Sequence, residues 1–424
     1  MRLVLNLPVK RIIKVFSTPT ARSSTVFYFS NFFLSVIRYL FHLILLRLLS
    51  PGQYGEFLSY LSLIYLLGIP AGTIAGVVTK YVSEFNGKGD KASINHFFYY
   101  ILRIISPITY GLGFLLILFA HPLATLFKAH SIAFVVLGVS MFISLYQTVI
   151  SSYLIAFQKF IFQSIVGFFG ALLTIGISIL FINLGFGATG AVIGQILAGI
   201  LTTIVIFWNI RKSITPKIIA KSTVKFSLAG FTGYSFIYSL GTMALISVDI
   251  LLARIFFDPH LSGIYSSLSI LGRMILFGLT PIIALVLPIA SHRHASSGST
   301  KSVLIKLGGV IVIFGLIGAG IFATFPALII RVLSGSAYLE AAPFLSIFAF
   351  SMVFFALSQF MLSYQMAIGR PQANKLMLVA VILQPIALYF FRGSFSGFIW
   401  SGFVIQLLLT TSLLLSLFRS SNRA

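Results

Sequence analysis

Runs of eighteen or more mostly apolar residues recur along the whole chain, and a run of that length has few folded solutions. At a rise of about 1.5 Å per residue it makes a helix that crosses the hydrocarbon of a bilayer, where every backbone N–H and C=O must be paired within the segment. Little polar sequence is left over. Charged residues are 8% of the 424 and hydrophobic residues 58%, so no folded domain is expected outside the spans. Hydropathy places twelve spans at about 26–49, 57–79, 97–120, 131–153, 161–183, 187–208, 228–250, 262–290, 303–325, 343–367, 375–391 and 397–418. The expected fold class is an all-α polytopic membrane protein.

The net charge of +23 would suggest nucleic acid as partner in a soluble chain, but the positions of the basic residues argue otherwise. Of the 29 Lys and Arg, 21 fall in the two termini and in the connections on their side of the membrane, only five in or beside the opposite connections, and three (Arg38, Arg103, Arg273) within spans. The positive-inside rule then puts both termini in the cytoplasm, with the basic loops against anionic headgroups of the plasma membrane. Membrane lipids are the expected partner of that charge, and nucleic acid is not. The chain has no cysteine, which excludes disulfides and thiolate chemistry. Residues 1–25 lack the apolar core of a signal peptide and read as a basic cytoplasmic segment.

The two halves can be laid over each other. Pro51, Gly55, Phe57 and Ser59 match Pro259, Gly263, Tyr265 and Ser267 at a constant offset of 208, and Ser152, Tyr153, Ala156 and Lys159 match Ser363, Tyr364, Ala367 and Arg370 at 211. Six spans per copy is an even number, so both copies start on the same side. The expectation is a parallel repeat: two six-helix lobes, 26–208 and 228–418, joined by a basic cytoplasmic linker 209–227 and followed by a short tail 419–424. The linker, with Arg211, Lys212, Lys217, Lys221 and Lys225, is expected along the cytoplasmic surface. The segment around Ile12, Ile13, Val15 and Phe16 reads as a similar interfacial helix.

Two arginines lie deep in apolar stretches. Arg38 is about 11 residues, roughly 16 Å, from either end of its span, and Arg273 is comparably placed. A guanidinium at that depth costs at least about 2.5–3.5 kcal/mol, so it requires a polar cavity or a partner. Asn31, Ser35, Arg38 and His42 form one helical stripe on the first span; Ser262, Ser266, Ser269, Arg273 and Thr280 form another on the eighth; Ser235, Ser239, Thr242 and Asp249 form a third on the seventh. The alternatives are packing surfaces for the Ser and Thr residues, and for the arginines either a substrate-facing cavity or a structural pairing with Asp249 or backbone carbonyls. Asp249 itself is a candidate for ion coupling or for a salt bridge to Arg254 or Arg273. Tyr265 is a candidate sugar-stacking ring. The substrate-binding candidates are therefore Arg38, Arg273, Asn31, Ser35, His42, Ser269 and Tyr265. Arginines with few carboxylates around them favour an anionic substrate.

No enzyme site stands out. The six carboxylates (Glu56, Glu84, Asp90, Asp249, Asp258, Glu340) are scattered, and His292 and His294 have no third ligand, so neither catalytic residues nor a metal or other cofactor are expected. The Asn86 to Asp90 stretch, with Gly87 and Gly89, lacks Walker spacing and reads as a tight turn.

The stretch Leu48-Leu49-Ser50-Pro51-Gly52-Gln53-Tyr54-Gly55, followed by a span and Tyr81-Val82-Ser83-Glu84-Phe85-Asn86-Gly87-Lys88-Gly89-Asp90, resembles the first hairpin of the polysaccharide-biosynthesis flippases. Val248 to Ala253 with Gly263 to Ser266, and Gly335 to Ala342, resemble later connections of the same family. The resemblance implies the MATE-like fold of the multidrug/oligosaccharidyl-lipid/polysaccharide exporter superfamily. It also implies flipping of an undecaprenyl-diphosphate-linked oligosaccharide by alternating access, with Arg38 and Arg273 matching by type and span the arginines proposed to hold the lipid diphosphate. The peptidoglycan-precursor flippases usually carry two further C-terminal spans, which favours the O-antigen and exopolysaccharide (Wzx-like) branch. Glycosyltransferases and a glycan polymerase are the implied working partners. The competing readings are a multidrug or cation antiporter of the same superfamily, which predicts dependence on Asp249, and a membrane glycan polymerase or ligase, which would carry a large outside loop.

Overall fold

A computed structural model describes residues 19–211, 229–295 and 300–421. The expected interfacial segment near the N-terminus and most of the linker 209–227 lie outside the described residues. Among the described residues every regular element is helical: α1 (Pro19–Leu48), α2 (Pro51–Leu67), α3 (Ile69–Gly87), α4 (Lys91–Leu118), α5 (Ala120–Leu126), α6 (Ser131–Ala156), α7 (Phe160–Phe181), α8 (Gly187–Ile210), α9 (Ala229–Leu245), α10 (Val248–Phe256), α11 (Pro259–Ala295), α12 (Lys301–Thr324), α13 (Pro326–Leu333), α14 (Ala342–Ala367), α15 (Asn374–Phe390) and α16 (Phe395–Ser421). Nine helices among the described residues are long and apolar enough to cross a membrane, or ten if the pair α2–α3, bent by 47°, is one span. The expected count of twelve is not matched by length and apolarity alone. One apolar stretch, Phe160–Ile210, holds two helices, α7 and α8, joined by a turn in which Gly185 and Gly187 take positive φ.

By backbone packing the chain divides into two compact units. The first comprises residues 1–42, 74–118 and 135–226, and the second residues 43–73, 119–134 and 227–424. Lipid tails are as apolar as leucine, so helices associate there through close packing and hydrogen bonds rather than through the hydrophobic effect. In the first unit α4 and α6 approach at Gly113 and Gly138, where a Cβ at either position would lie 2.7 Å from the other's carbonyl oxygen. The Gln147 amide donates to Gly199 O at 3.4 Å, and Ser178 Oγ donates to Ala191 O at 3.0 Å between α7 and α8.

The second unit is built around α14, most of whose side chains are buried against α11, α12 and α16. Ser358 and Thr410 hydroxyls meet at 2.9 Å between α14 and α16, and the Gln359 amide reaches Thr242 Oγ1 on α9 at 2.9 Å. Two of the segments matched in the sequence meet here. Ser50 caps α2 with Gln53 completing a capping box, and Asp258 Oδ1 accepts the N–H groups of His260 and Leu261 at the start of α11. Pro51 and Pro259 follow those caps, where their missing N–H is not needed. The two helices then cross at Gly55 and Gly263: a Cβ on Gly55 would lie 2.8 Å from Gly263 N, and one on Gly263 would run into the Pro51 carbonyl.

Candidate substrate and coupling site

Helix α1 has two exposed faces of opposite character. Phe33, Val36 and Leu40 are 61%, 42% and 47% exposed, whereas Ser35 and Arg38 are exposed roughly 160° away around the helix at 100° per residue. Leu34 and Phe41 between them are buried. His42 is half-buried one turn from Arg38. Among the described residues Arg38 makes no hydrogen bond or ion pair, and it is exposed. Asn31 lies on the same helix at the spacing the sequence implied.

The eighth-span stripe is arranged differently. Ser262, Ser266, Ser269, Tyr265 and Arg273 are all at most 3% exposed on α11, packed within the second unit. Arg273 meets a break in the seventh span. The expected helix over 228–250 stops at Leu245 and restarts at Val248, and the break leaves the last carbonyls of α9 without intrahelical donors. Two side chains supply them: Arg273 Nη2 donates to Ile246 O, and the Gln384 amide from α15 donates to Leu245 O at 3.1 Å.

Asp249 sits in the first turn of α10, where the helix dipole favours a carboxylate. Its Oδ1 accepts from the Ile250 N–H at 2.9 Å and its Oδ2 from the Tyr265 hydroxyl at 3.0 Å, with Arg273 in Coulombic reach. Irregular backbone at membrane depth persists only where it is buried in protein or lines a cavity, and this break does both. A small pocket borders it, lined by Asp249, Tyr265, Ser351, Gln384 and Gln406 among apolar neighbours. Gln406 Oε1, Ser247 Oγ and Arg273 Nε are buried there without a partner.

Of the sequence candidates, the structure therefore brings Asp249, Tyr265 and Arg273 together, with Ser269 one turn from Arg273. Ser35, Arg38 and His42 form a separate group in the first unit. The expected salt bridge from Asp249 to Arg254 or Arg273 is not made: Arg254 instead approaches Glu56, at 3.8 Å, and Arg273 acts on Asp249 through space without a direct ion pair. The sequence reading missed Gln384 and Gln406, which are single amides in apolar spans. The signal available was that a glutamine at such depth requires a hydrogen-bond partner. Among the described residues no group of three or more His, Asp or Glu is arranged to hold a metal ion.

A family model described as "Polysaccharide biosynthesis protein" matches residues 44–343. The chain belongs to that family. No protein with a curated description matches this polysaccharide biosynthesis protein family member. Solved structures share its fold. An inward-facing multidrug resistance MATE family transporter of the MOP superfamily superposes with a TM-score of 0.74 at 15% identity, covering 91% of this chain and 95% of its own. The lipid II flippase MurJ in an inward closed conformation superposes at 0.67 and 17% identity, covering 93% and 87%. A MOP superfamily transporter from Pyrococcus furiosus superposes at 0.64 and 14% identity, covering 95% and 96%. The fold is thus that of the MATE-like MOP transporters, as the resemblance implied, carried by a member of the polysaccharide biosynthesis protein family with at least nine helices, among the described residues, long and apolar enough to cross a membrane.

Proposed function

We propose that this family member flips an undecaprenyl-diphosphate-linked oligosaccharide across the plasma membrane, by alternating access of two lobes formed by residues 26–208 and 228–418, with both termini cytoplasmic. The observation that carries the reading is the polar exposed face of α1. A lipid-facing helix has no use for an unpaired guanidinium opposite its own apolar exposed face, whereas a water-filled cavity does. Arg38 is the group assigned to the diphosphate, since its planar fork matches phosphate oxygens bidentately. Ser35 and His42 flank Arg38 on that stripe, and Asn31 is the further candidate at helical spacing in the sequence. Glycosyltransferases supply such a substrate and a glycan polymerase consumes it.

Arg273 takes a different role in this reading. Its guanidinium is committed to the broken seventh span, so it organises the Asp249 cavity rather than meeting the substrate directly in this conformation. A cavity that joins a carboxylate to an unpartnered amide oxygen at Gln406 is suited to a proton or small cation, which supports Asp249 as the coupling group. The same observation keeps a cation-coupled antiporter as the second reading.

The test is flipping in proteoliposomes with a fluorescent undecaprenyl-diphosphate glycan. Arg38→Ala is expected to lower the rate by at least tenfold, as the loss of a charge-assisted contact implies, and Arg38→Lys to recover part of it. Undiminished flipping by Arg38→Ala would remove the diphosphate assignment. Transport that follows an imposed cation gradient only while Asp249 is intact would favour the coupling role.

A further inference from the structure

Arg254 is the largest fully buried side chain among the described residues of the second unit, and it lies beside the seventh-to-eighth span connection, which the charge count of the sequence puts opposite the basic loops. Its five donors are spent mainly on backbone. Nε donates to Phe127 O at 2.7 Å, Nη2 to Lys128 O at 2.8 Å, and Nη1 to Gly52 O and Ser262 Oγ, both at 3.1 Å. Phe127 and Lys128 close the short helix α5. Lys128 N–H donates to Thr125 O and Ala129 N–H to Ala124 O, and Lys128 takes the left-handed conformation at φ 49°. That is the αL helix stop, with lysine where glycine is usual. The closure leaves the Phe127 and Lys128 carbonyls free, and Arg254 takes both.

The contact is reciprocated. Arg254 lies in the last turn of α10, whose C-cap is Phe257, and the Lys128 ammonium donates to Phe257 O at 2.7 Å. Each cation therefore satisfies the C-terminal carbonyls of the helix that carries or adjoins the other cation. A third cation repeats the arrangement: Arg47, in the last turn of α1, donates to Arg331 O at 2.8 Å and to Val332 O at the end of α13. All three contacts join a segment of the first repeat to one of the second, beside the Gly55–Gly263 crossing. The acceptors are almost all carbonyls, with Glu56 the one carboxylate at Arg254. The Lys128 and Arg47 ends of these contacts are exposed, so water can replace a carbonyl partner there and the contacts hold a closed arrangement without making it permanent, whereas Arg254 itself is buried.

We infer that Arg254 and Lys128, with Arg47 at a second point, form a two-way latch on the outer side, and that its release is an obligatory step in letting substrate out. The inference rests on the alternating-access reading above. The latch fixes α2 and α5 to the second repeat while the outer side is shut, and the strength of its contacts sets how often that side opens.

The natural absence of cysteine allows two clean tests. In the first, Gly52→Cys with Pro259→Cys places sulfurs across the seam, where an ideal Cβ at Gly52 lies 3.3 Å from Pro259 Cβ, close to disulfide geometry. Oxidation is expected to abolish flipping and reductant to restore it. Wild-type flipping with the cross-link complete would overturn the latch.

The second test needs no transport. Ser59→Cys, 1% exposed on α2 below the seam, is labelled in vesicles with a membrane-impermeant maleimide. Lys128→Asn removes the ammonium yet tolerates the left-handed backbone, and it is expected to speed labelling about tenfold, the effect of one lost charge-assisted hydrogen bond. Unchanged labelling in Lys128→Asn and in folded Arg254→Met would overturn the latch. Faster labelling combined with no flipping of the glycan by the parent protein would instead uphold the latch and reject the substrate reading.

Discussion

The buried pair at the break of the seventh span gives the sharpest test of the physical reasoning. In Arg273→Met the Asp249 carboxylate keeps the Tyr265 hydroxyl and the Ile250 N–H but loses its nearby cation, and Ile246 O loses its donor. Breaking a buried pair from one side costs about 3–5 kcal/mol, and an orphaned buried carbonyl about 1–3 kcal/mol more. The single substitution should therefore destabilise by about 4 kcal/mol or more. Asp249→Asn leaves Arg273 on Ile246 O but without a countercharge and should cost about 3 kcal/mol. In the double variant no uncompensated charge remains, and only the carbonyl penalty persists. The cycle should then show a favourable coupling of at least about 2 kcal/mol. Unfolding by SDS titration in mixed micelles measures each corner without substrate. If the two single effects simply add, the pair is not coupled and the account of the broken helix fails. If Arg273→Met leaves the substrate-free protein as stable as wild type, the arginine is held for a ligand and not for the fold.

Other outcomes follow from local geometry. Gly263→Ala places a methyl against the Pro51 carbonyl and should destabilise by about 1–3 kcal/mol, whereas Gly309→Ala, with nothing within 4 Å of its Cβ, should be neutral or stabilising by up to about 1 kcal/mol in the same titration. Asp90 caps α4 through the Ser93 N–H at 2.9 Å, and the Ser93 hydroxyl and N–H hold its carboxyl below its ordinary value of 3.8. Its contribution is present above pH 3.8 and is lost as the pH falls through the lowered value. Asp90→Ala should cost about 0.5–1 kcal/mol at neutral pH, and Asp90→Asn should keep most of the cap while removing that acid dependence, read from unfolding at pH 7 and pH 3.

Much of the fold was legible because bilayer spans announce themselves by length and apolarity, and because a cap residue, a proline and a glycine mark helix starts and close crossings. Ser50-Pro51 and Gly55 against Asp258-Pro259 and Gly263 are such a pair. The same rules misjudged continuity. A window of hydropathy cannot see that residues 228–250 stop at Leu245, since the break there is held by Arg273 and Gln384 from other helices and not by a local proline or glycine. Nor can it see that Phe160–Ile210 turns back at Gly185 and Gly187 into two helices.

The sequence by itself determined that this chain is built of membrane-length apolar spans, and that two guanidiniums deep in such spans must each have a reason to be there. Only the tertiary structure decided what those reasons are. Two arginines at similar depth in helices of similar composition present the same cost of desolvation, and spacing along one helix does not say which face meets water and which meets another helix. Arg38 ends on an exposed polar face with no partner among the described residues, while Arg273 is sealed against the open end of a broken helix. Arg254, unremarkable near the end of a span, became the hub of a polar seam because the carbonyls it satisfies lie 127 and 126 residues away in sequence.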